Sequence, residues 1–565
     1  MSDQQPWLKH YPPGVRWDHP FEALPLFEAF ERSASTWPDN THLDFFGRKL
    51  SYLETAELVS RAAKGLQALG VKKGIKVGLF LPNCPQQVIS FFAVLKAGGT
   101  VVNYSPLYSE DELLYQIEDS QTDLMITLDL EALYPKAAEL LKESRLTTLI
   151  VDSFAASLPW PKSWAYALLR RGEIAKVAAG SDHVAFDALL DDVTPPEPVA
   201  VDPYEDVAVL QYTGGTTGQP KGAMLTHANL HINAQQIGAW APQFEPGKER
   251  LLGALPFFHA FAMTGQMIFG SITGSEIILH PRFDLDAVMK DFRTKQPTAF
   301  SGVPTMFTAM LRHKDATRQT FESLRWCISG GAPMPRAVLE GFKEKTGVEP
   351  IEGYGLTETS PAATSGIHHG RNKPGSIGLP MPGTKIHFTE LEDPHKILPV
   401  GETGEICVEG PQVMKGYWNR PEATAKALVE GRLRTGDIGY MDEEGYTFII
   451  DRAKDMILVG GFNVFPRVVE EAIHKHPAVH EVSVIGVPDD YLGEAPKAFI
   501  VLKDPDEDLP KEHLMTFLRE HLGKHELPRE IEYRSELPKT LIGKLSKKEL
   551  REEEAERSSG ETPAS

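Results

Sequence analysis

Residues 212–222 read Tyr-Thr-Gly-Gly-Thr-Thr-Gly-Gln-Pro-Lys-Gly, and this stretch determines how the rest of the chain is interpreted. Its glycines let consecutive backbone N–H groups converge on an anion, its threonine hydroxyls add donors, and Lys221 adds a positive charge. The apolar residues 207–211 predict a strand before it, and residues 226–240 predict a helix with Thr226 as its N-cap. The stretch therefore predicts a phosphate-binding loop.

Two common phosphate loops do not match this stretch. The P-loop needs glycine directly before the lysine and Ser or Thr directly after it, whereas Lys221 stands between Pro220 and Gly222. A dinucleotide-binding fingerprint is excluded because the spacing from Gly215 to Gly218 is wrong for it. A flexible surface linker is the remaining alternative, but linkers seldom follow an apolar strand directly.

Five further motifs follow in order, and together with the loop they resemble the adenylate-forming superfamily of acyl-CoA synthetases, luciferases and peptide-synthetase adenylation domains. They are Gly-Gly-Ala-Pro (330–333), Tyr-Gly-Leu-Thr-Glu (354–358), Thr-Gly-Asp (435–437), Asp-Arg-Ala-Lys-Asp (451–455) and Pro-Lys-Thr-Leu-Ile-Gly-Lys (538–544). Within the superfamily the resemblance is greatest to bacterial long-chain fatty acid CoA ligases, chiefly through residues 433–466 and 255–259.

The expected fold class is α/β. Alternating strand and helix patterns over residues 76–127 predict parallel βαβ units, and residues 298–354 predict a second parallel sheet. Short alternating strands after residue 383 are typical of a β-barrel or a β-sandwich. We expect an AMP-binding domain over residues 1–450 with the barrel near 383–450, a small mobile α+β domain over 451–550, and a disordered tail over 551–565.

Composition excludes several classes of protein. The net charge of -20 over 565 residues argues against nonspecific nucleic-acid binding. Cys84, Cys327 and Cys407 have no paired spacing, so neither disulfides nor a zinc site are indicated and a cytoplasmic setting is expected. The N-terminus shows no secretory signal. The uncharged residues 251–275 are interrupted by Pro256 and several glycines, which favours buried loop, helix and strand over a membrane span. A homodimer remains an open alternative.

Residues 154–177 combine aromatic and basic side chains, including Trp160, Trp164, Arg170 and Arg171. This mixture suits peripheral contact with the anionic inner face of a cell membrane. A helix packed on its own domain is an equally weighted alternative.

The resemblance implies a reaction in which a fatty acid carboxylate attacks the α-phosphate of ATP. Such chemistry depends on positioning and charge stabilisation, so cations and N–H donors are needed and a protein nucleophile is not. ATP, Mg²⁺ and coenzyme A are the implied cofactors. Thr213 and Glu358 match the Mg²⁺-binding positions, although Glu358 alone could equally oppose a helix dipole.

The resemblance also assigns the remaining site residues. Lys544 is the expected catalytic lysine bridging carboxylate and α-phosphate, beside Glu358 and Thr213, and Asp451 is the expected hinge. The expected cofactor contacts are Tyr212, Thr213, Gly214, Gly215, Thr216, Thr217, Gly218, Lys221, Gly331, Ala332, Pro333, Tyr354, Gly355, Thr357, Asp437, Arg452, Gly460 and Gly461. The expected tunnel for the alkyl chain is lined by His259, Phe261, Met263 and Val303.

Three of these assignments keep a second interpretation. Tyr354 could be an ordinary core tyrosine, Asp437 could cap an Asx-turn, and the tunnel residues could simply be core. Some relatives carry tryptophan where Asn463 stands, so no aromatic gate is expected from that position.

The predicted function is a long-chain fatty acid CoA ligase, which forms an acyl-adenylate and pyrophosphate and then acyl-CoA and AMP. A medium-chain or aryl acid CoA ligase on the same scaffold is the enzymatic alternative. A non-catalytic acyl- or nucleotide-binding protein is the alternative from another class, but it would lack the bridging lysine, and this chain has Lys544.

Overall fold

The computed structural model describes residues 5–213, 219–489, 491–504, 509–539 and 545–559. The chain divides into two compact units, one of residues 1–386, 408–433 and 444–446, the other of residues 387–407, 434–443 and 447–565. A large N-terminal unit with parallel sheets and a smaller C-terminal unit confirm the predicted fold class. The border expected between residues 450 and 451 stays a prediction.

The first unit contains an eight-stranded sheet whose six parallel strands confirm the predicted βαβ organisation. From one edge the strands are Gly416–Tyr417, Lys221–Thr226, Val207–Thr213, Thr100–Asn103, Lys76–Leu79, Thr122–Leu128, Thr148–Asp152 and His183–Ala185. The strand Lys221–Thr226 was not predicted. It pairs antiparallel with Val207–Thr213, so the two strands form a hairpin on either side of the predicted phosphate-binding loop.

A nine-stranded sheet also belongs to this unit, and its six central strands are parallel. Its strands are, in order, Leu379–Pro380, Ala362–Ser365, Ile351–Gly355, Trp326–Gly330, Ala299–Gly302, Arg250–Gly253, Glu276–Leu279, Thr41–Phe45 and Arg48–Ser51. Carboxyl ends of parallel strands meet at one edge of a sheet. The motifs that follow Gly330 and Ile351 therefore emerge side by side.

Helices connect the strands of both sheets, and local capping fixes several of their starts. Ser51 starts the helix Tyr52–Ala68 with a capping box, and Thr226 Oγ1 accepts a hydrogen bond from Asn229 N at 3.1 Å as the predicted N-cap. The helices of this unit are Leu26–Thr36, Tyr52–Ala68, Pro85–Lys96, Glu110–Ser120, Tyr134–Glu143, Lys162–Leu169, His227–Trp240, Leu285–Thr294, Pro304–Arg312, Arg336–Thr346 and Pro421–Ala427.

The uncharged residues 251–275 are folded into the interior of the unit. A π-helical segment, Met263–Ile268, lies between the short helices Ala260–Ala262 and Phe269–Ile272, and Met263, Met267 and Ile268 are fully buried. π-Helical turns recur at functional sites. Within the described residues, no helix has the length and apolar character needed to cross a membrane.

Two further sheets contain most of the remaining strands. Residues 385–452 contribute Lys385–Thr389, Gly404–Glu409, Arg432–Met441 and Leu428–Val429 in that order, and Thr447–Arg452 pairs with Arg432–Met441. The last sheet has the order Phe462–Val464, Ile457–Val459, Gly493–Leu502 and Val479–Asp489, and Glu530–Tyr533 pairs with Gly493–Leu502. Helices Pro466–His474 and Lys511–Leu518 cover this last sheet through a core that includes Val469, Ile473 and Leu514.

The tail differs from the prediction, because a helix spans Lys547–Ser559 where disorder was expected after residue 550. Leu550 is fully buried in a cluster with Ile485 and Phe499. Glu554 lies 2.8 Å from the ammonium of Lys497. Composition alone misread this charged segment, since its ion-pair partner lies far away in the sequence.

Candidate active site

The predicted phosphate-binding stretch begins and ends on the two strands of the hairpin in the first unit. Thr213 and Lys221 are Cα partners where its two strands diverge, and both side chains are partly buried. The predicted contacts Gly214, Gly215, Thr216, Thr217 and Gly218 lie outside the described residues. The hairpin thus brings Thr213 and Lys221 to the same place, as a shared role with phosphate requires.

Asp119 fixes the base of this hairpin and was not identified from the sequence. The Tyr212 hydroxyl donates to Asp119 Oδ2 at 2.6 Å, and burial together with this carboxylate raises the pKa of Tyr212 well above its usual value. Trp418 Nε1 donates to the Asp119 carbonyl at 3.1 Å, and Arg420 forms an ion pair with the Asp119 carboxylate. Tyr212 therefore anchors the first strand through its hydroxyl.

Tyr417 connects Lys221 with Glu358. The Lys221 ammonium lies 5.2 Å from the centroid of the Tyr417 ring, and the Tyr417 hydroxyl donates to Glu358 Oε1 at 2.8 Å. Burial and the nearby Glu358 carboxylate raise the pKa of Tyr417, so the hydroxyl stays protonated at neutral pH. Sequence reasoning missed this residue because the pairing of its strand with Ala223 is a long-range contact.

Glu358 follows the strand Ile351–Gly355 in a single 3₁₀ turn, Thr357–Thr359. A Cβ atom at Gly355 would lie 1.7 Å from the Pro361 carbonyl oxygen, so only glycine fits there. The Glu358 carbonyl accepts a hydrogen bond from Met414 N at 2.8 Å. The backbone around the acidic residue is therefore held on two sides.

The residues expected around adenine emerge from neighbouring strands. Gly330 and Gly353 are Cα partners, which places Gly331 and Tyr354 at adjacent strand ends. Gly331 has a φ of +79°, a conformation that favours glycine. Tyr354, Ala332 and Thr357 are partly buried, while Pro333 is exposed. The strand ends thus bring the two predicted motifs together.

The four predicted tunnel residues have distinct local roles. His259 Nδ1 accepts a hydrogen bond from Phe261 N at 3.3 Å, which makes the histidine a helix cap. The Phe261 ring would lie 3.0 Å from a Cβ at Gly330, so this apolar ring reaches the edge of the adenine motif. Met263 is fully buried, and Val303 is buried ahead of the helix Pro304–Arg312.

In the second unit, Asp437 and Arg452 face each other across paired strands. Arg452 Nε lies 2.8 Å from Asp437 Oδ1, and the Asp437 side chain is only 5% exposed. Gly460 and Gly461, with φ values of +57° and +87°, form the turn between Ile457–Val459 and Phe462–Val464. The predicted catalytic Lys544 lies outside the described residues.

The acidic groups of the described residues do not form a cage that could hold a metal. No cluster of three or more His, Cys, Asp or Glu side chains suited to a metal ion occurs among them. Mg²⁺ commonly binds through one or two protein oxygens, with phosphates and water completing its shell. The second Glu358 oxygen, beyond the one bonded to Tyr417, suits that role.

Comparison with known proteins agrees with this geometry. A model for AMP-binding enzyme matches residues 30–418, and one for the AMP-binding enzyme C-terminal domain matches residues 468–544. A long-chain-fatty-acid–CoA ligase of Bacillus subtilis (strain 168) is 42% identical, with 98% of this chain and 99% of the relative covered. A long-chain-fatty-acid–CoA ligase of Salmonella typhimurium is 38% identical, with coverage of 97% and 98%.

Solved structures extend the likeness to the fold. The crystal structure of an anthranilate CoA ligase in complex with anthranoyl-AMP has a TM-score of 0.82 at 26% identity and covers 96% of this chain and 100% of that one. Fold, hairpin and motifs define an adenylate-forming enzyme. The chain belongs to the AMP-binding enzyme family, in the class of CoA ligases that use ATP and coenzyme A, which confirms the class predicted from the motifs.

Proposed function

We propose that this enzyme is a long-chain fatty acid CoA ligase. It joins a fatty acid to AMP with release of pyrophosphate, then transfers the acyl group to coenzyme A. The link from Lys221 through Tyr417 to Glu358 carries the proposal for the first step, because it holds a cation and a carboxylate beside the phosphate hairpin. The substrate class is supported by the names of the full-length relatives.

The cation and the carboxylate act on the phosphates of ATP. Lys221 and the backbone N–H groups of residues 214–218 offset the charge of the β- and γ-phosphates. Glu358 and Thr213 hold Mg²⁺, which neutralises charge on the leaving pyrophosphate when bound. Lys544 bridges the fatty acid carboxylate and the α-phosphate, so that two anions can approach each other.

The proposed nucleoside contacts come from four of the sequence motifs. Tyr354, with Gly331, Ala332 and Pro333, forms the adenine slot, and Gly355 and Thr357 lie along the same segment. Asp437 accepts hydrogen bonds from the ribose hydroxyls, with Arg452 beside it. The 2.8 Å pairing of Arg452 with Asp437 supports this assignment, since it fixes the orientation of the buried carboxylate.

The second step needs access for a thiol after pyrophosphate has left. Rotation of the smaller domain about Asp451 provides that access, and Gly460 and Gly461 leave room for the pantetheine arm because they lack side chains. His259, Phe261, Met263 and Val303 line the tunnel for the alkyl chain. The contact of Phe261 with Gly330 supports a tunnel that ends at the adenine slot.

A substrate panel tests this function. Pyrophosphate release is measured with long-chain, medium-chain and aryl acids, each with and without coenzyme A. Release in the absence of coenzyme A is expected to be fastest with long-chain acids, and acyl-CoA should form only when coenzyme A is added. Preference for an aryl acid would favour the alternative ligase, to which the anthranilate CoA ligase likeness points. If no acid gives pyrophosphate release, the remaining interpretation is a non-catalytic acyl- or nucleotide-binding protein.

The role of Lys544 has its own test. Replacing Lys544 with Ala should lower adenylation by about 100-fold or more, because a key electrostatic group is lost. Reaction of preformed acyl-adenylate with coenzyme A should remain close to wild type. An equal loss in both steps would contradict the assignment.

We also propose that residues 154–177 bind the inner face of the cell membrane, where long-chain acids partition. The helix Lys162–Leu169 buries none of its side chains. Trp160 is 85% exposed, Trp164 67% and Leu169 78%, an arrangement that is costly in water unless it meets an apolar phase. Arg171 and Lys176 lie beside these rings in the sequence, which supports an anionic lipid surface.

Cosedimentation with vesicles tests this contact. The double substitution Trp160→Ser and Trp164→Ser should lower partitioning onto anionic vesicles by about tenfold or more, because two large apolar surfaces no longer transfer. Tyr204→Ser, at a tyrosine that is 60% exposed on another part of the same unit, is the matched control and should change nothing. Unchanged partitioning of the double variant would rule out the membrane surface.

A further inference from the structure

The carboxylate of Asp451, the expected hinge residue, is fixed at the start of a helix. Asp451 Oδ2 accepts a hydrogen bond from Arg467 N at 2.7 Å, in the first turn of Pro466–His474. Its other oxygen accepts from Arg452 N at 2.7 Å. A carboxylate at a helix N-terminus is stabilised by the unpaired N–H groups and the helix dipole. The side chain of Asp451 is therefore fixed to the first turn of this helix.

The same helix carries Glu470, which pairs with Lys547. Glu470 Oε1 lies 2.9 Å from the Lys547 ammonium and accepts a hydrogen bond from Val484 N at 2.8 Å. Each of the two charged side chains is 19% exposed. Burial alone would lower the pKa of Lys547, but the Glu470 and Asp451 carboxylates outweigh burial and raise it. Lys547 is thus a cation that pairs with Glu470 and is further stabilised by the charge of Asp451.

Lys547 begins the helix Lys547–Ser559, and a cation at that end opposes the helix dipole. Glu470 therefore compensates an arrangement that the local sequence disfavours. Lys547 stands where the helix dipole disfavours a cation, and a largely buried acid from a distant helix pairs with it. This arrangement indicates that the position of Lys547 has a role beyond helix stability.

The described residues on either side of 540–544 contact each other and share one apolar cluster. Lys539 and Leu545 form an antiparallel bridge, and Ser546 N donates to the Pro538 carbonyl at 2.8 Å. Leu537 and Leu550 are buried in one apolar cluster. The described residues that flank 540–544 are therefore joined to each other directly before Lys547 in the chain.

We propose that Glu470 is a positioning residue for adenylation. Through Lys547 it fixes the base of the segment that carries Lys544, and through its helix it ties that base to Asp451. The helix Pro466–His474 thus transmits rotation at the hinge to the catalytic lysine. This inference rests on the proposed function, in particular on the role of Lys544.

The substitution Glu470→Gln tests the proposal with little change in shape, because glutamine keeps an oxygen that can accept from Val484 N. Adenylation, measured as pyrophosphate release without coenzyme A, is expected to fall by about 10- to 100-fold, the size of effect that slight misplacement of a catalytic group produces. Thioester formation from preformed acyl-adenylate and coenzyme A should stay within about twofold of wild type.

Lys547→Met should give the same split between the two steps. The double variant with Glu470→Gln should be no worse than either single variant, because both changes break one interaction. Lys548→Met is the matched control. This neighbouring lysine is 68% exposed, and among the described residues its ion pair is with Glu552 at 3.7 Å, so both steps should be unchanged.

The outcomes separate this inference from the proposed function. If wild type releases no pyrophosphate with fatty acids, or Lys544→Ala leaves adenylation intact, the proposed function fails. If wild type does release pyrophosphate and Lys544→Ala does lower adenylation, but Glu470→Gln is fully active or slows both steps equally, the positioning role is overturned. A lowered unfolding midpoint accompanied by equal loss in both steps would likewise assign Glu470 to stability alone.

Discussion

In the first unit, Lys221 and Glu358 each contact Tyr417, and neither forms an ion pair within the described part of the chain. In the second unit, by contrast, Asp437 and Arg452 pair directly with each other at 2.8 Å. The charges of Lys221 and Glu358 therefore remain available to a ligand. The charges of Asp437 and Arg452 neutralise each other.

This difference indicates how each region contributes to the proposed reaction. A polyphosphate and Mg²⁺ bring charges of both signs, so residues that bind them must not already be neutralised. An aromatic ring and hydroxyl can orient a cation and an acid without cancelling either charge. Paired charges, in turn, are suited to fixing backbone positions, because breaking a buried pair is costly.

The largest expected effect comes from removing an available charge. Lys221→Met should lower the rate of adenylation by about 100- to 1,000-fold, because no other described cation contacts Tyr417. The free energy of unfolding should stay within about 0.5 kcal/mol of wild type, since no ion pair is lost. Steady-state pyrophosphate release and urea unfolding measure the two quantities.

Lys415→Met is the control for Lys221, because Lys415 already pairs with Glu205 at 2.7 Å. Activity should remain within about twofold of wild type. A control variant as inactive as Lys221→Met would remove the distinction between available and paired charges.

The opposite pattern is expected in the second unit. Arg452→Met leaves the 5% exposed carboxylate of Asp437 without this partner and should lower the free energy of unfolding by about 2 to 3 kcal/mol. Arg467→Met removes an ion pair with Glu471 at 2.9 Å, within one helix and with an exposed acid. It should lower the free energy of unfolding by less than about 0.5 kcal/mol. Urea unfolding followed by circular dichroism distinguishes them, and equal costs would break the comparison.

Neutral histidines make the first unit sensitive to acid. Burial lowers the pKa of His227 and of His231 to about 4, and their Nδ1 atoms accept hydrogen bonds from Leu26 N and Leu24 N, each at 3.1 Å. Their contribution to stability is complete above the ordinary pKa and is lost as the pH falls from 6.5 toward about 4. Each histidine should lower the free energy of unfolding by about 2 kcal/mol at pH ~5 relative to neutral pH.

Tryptophan fluorescence during urea unfolding reports this change, because all 8 tryptophans lie in the first unit. His227→Asn keeps an acceptor near the Nδ1 position but removes the titrating group. Its loss of stability between about pH 7.5 and about pH 5 should be smaller than that of wild type by about 2 kcal/mol. An unchanged pH profile would show that His227 does not titrate in this range.

The smallest expected effect is at the aromatic link itself. Tyr417→Phe keeps the ring beside Lys221 but removes the hydroxyl that donates to Glu358 at 2.8 Å. Loss of one hydrogen bond to a charged group is worth about 1.5 kcal/mol, so adenylation at limiting Mg²⁺ should fall by about tenfold. Tyr440→Phe, at a tyrosine stacked on Phe448, is the control, and an equal effect there would refute the link.

Local signals predicted several elements accurately. The N-cap at Thr226 was predictable because it is made by residues three positions apart. The strand Lys221–Thr226 was missed, because its existence depends on pairing with both Val207–Thr213 and Gly416–Tyr417. The helix Lys547–Ser559 was missed for the same reason, since Leu550 is buried against distant strands.

The sequence by itself determined the class of enzyme, the order of its motifs and the residue types at the site, because glycine, lysine and carboxylate chemistry is carried by the residues themselves. Only the tertiary structure placed Asp119 under the hairpin, Tyr417 between Lys221 and Glu358, and Glu470 against Lys547. These contacts join residues far apart in the chain. Their existence depends on the packing of whole sheets and helices, which no local pattern records.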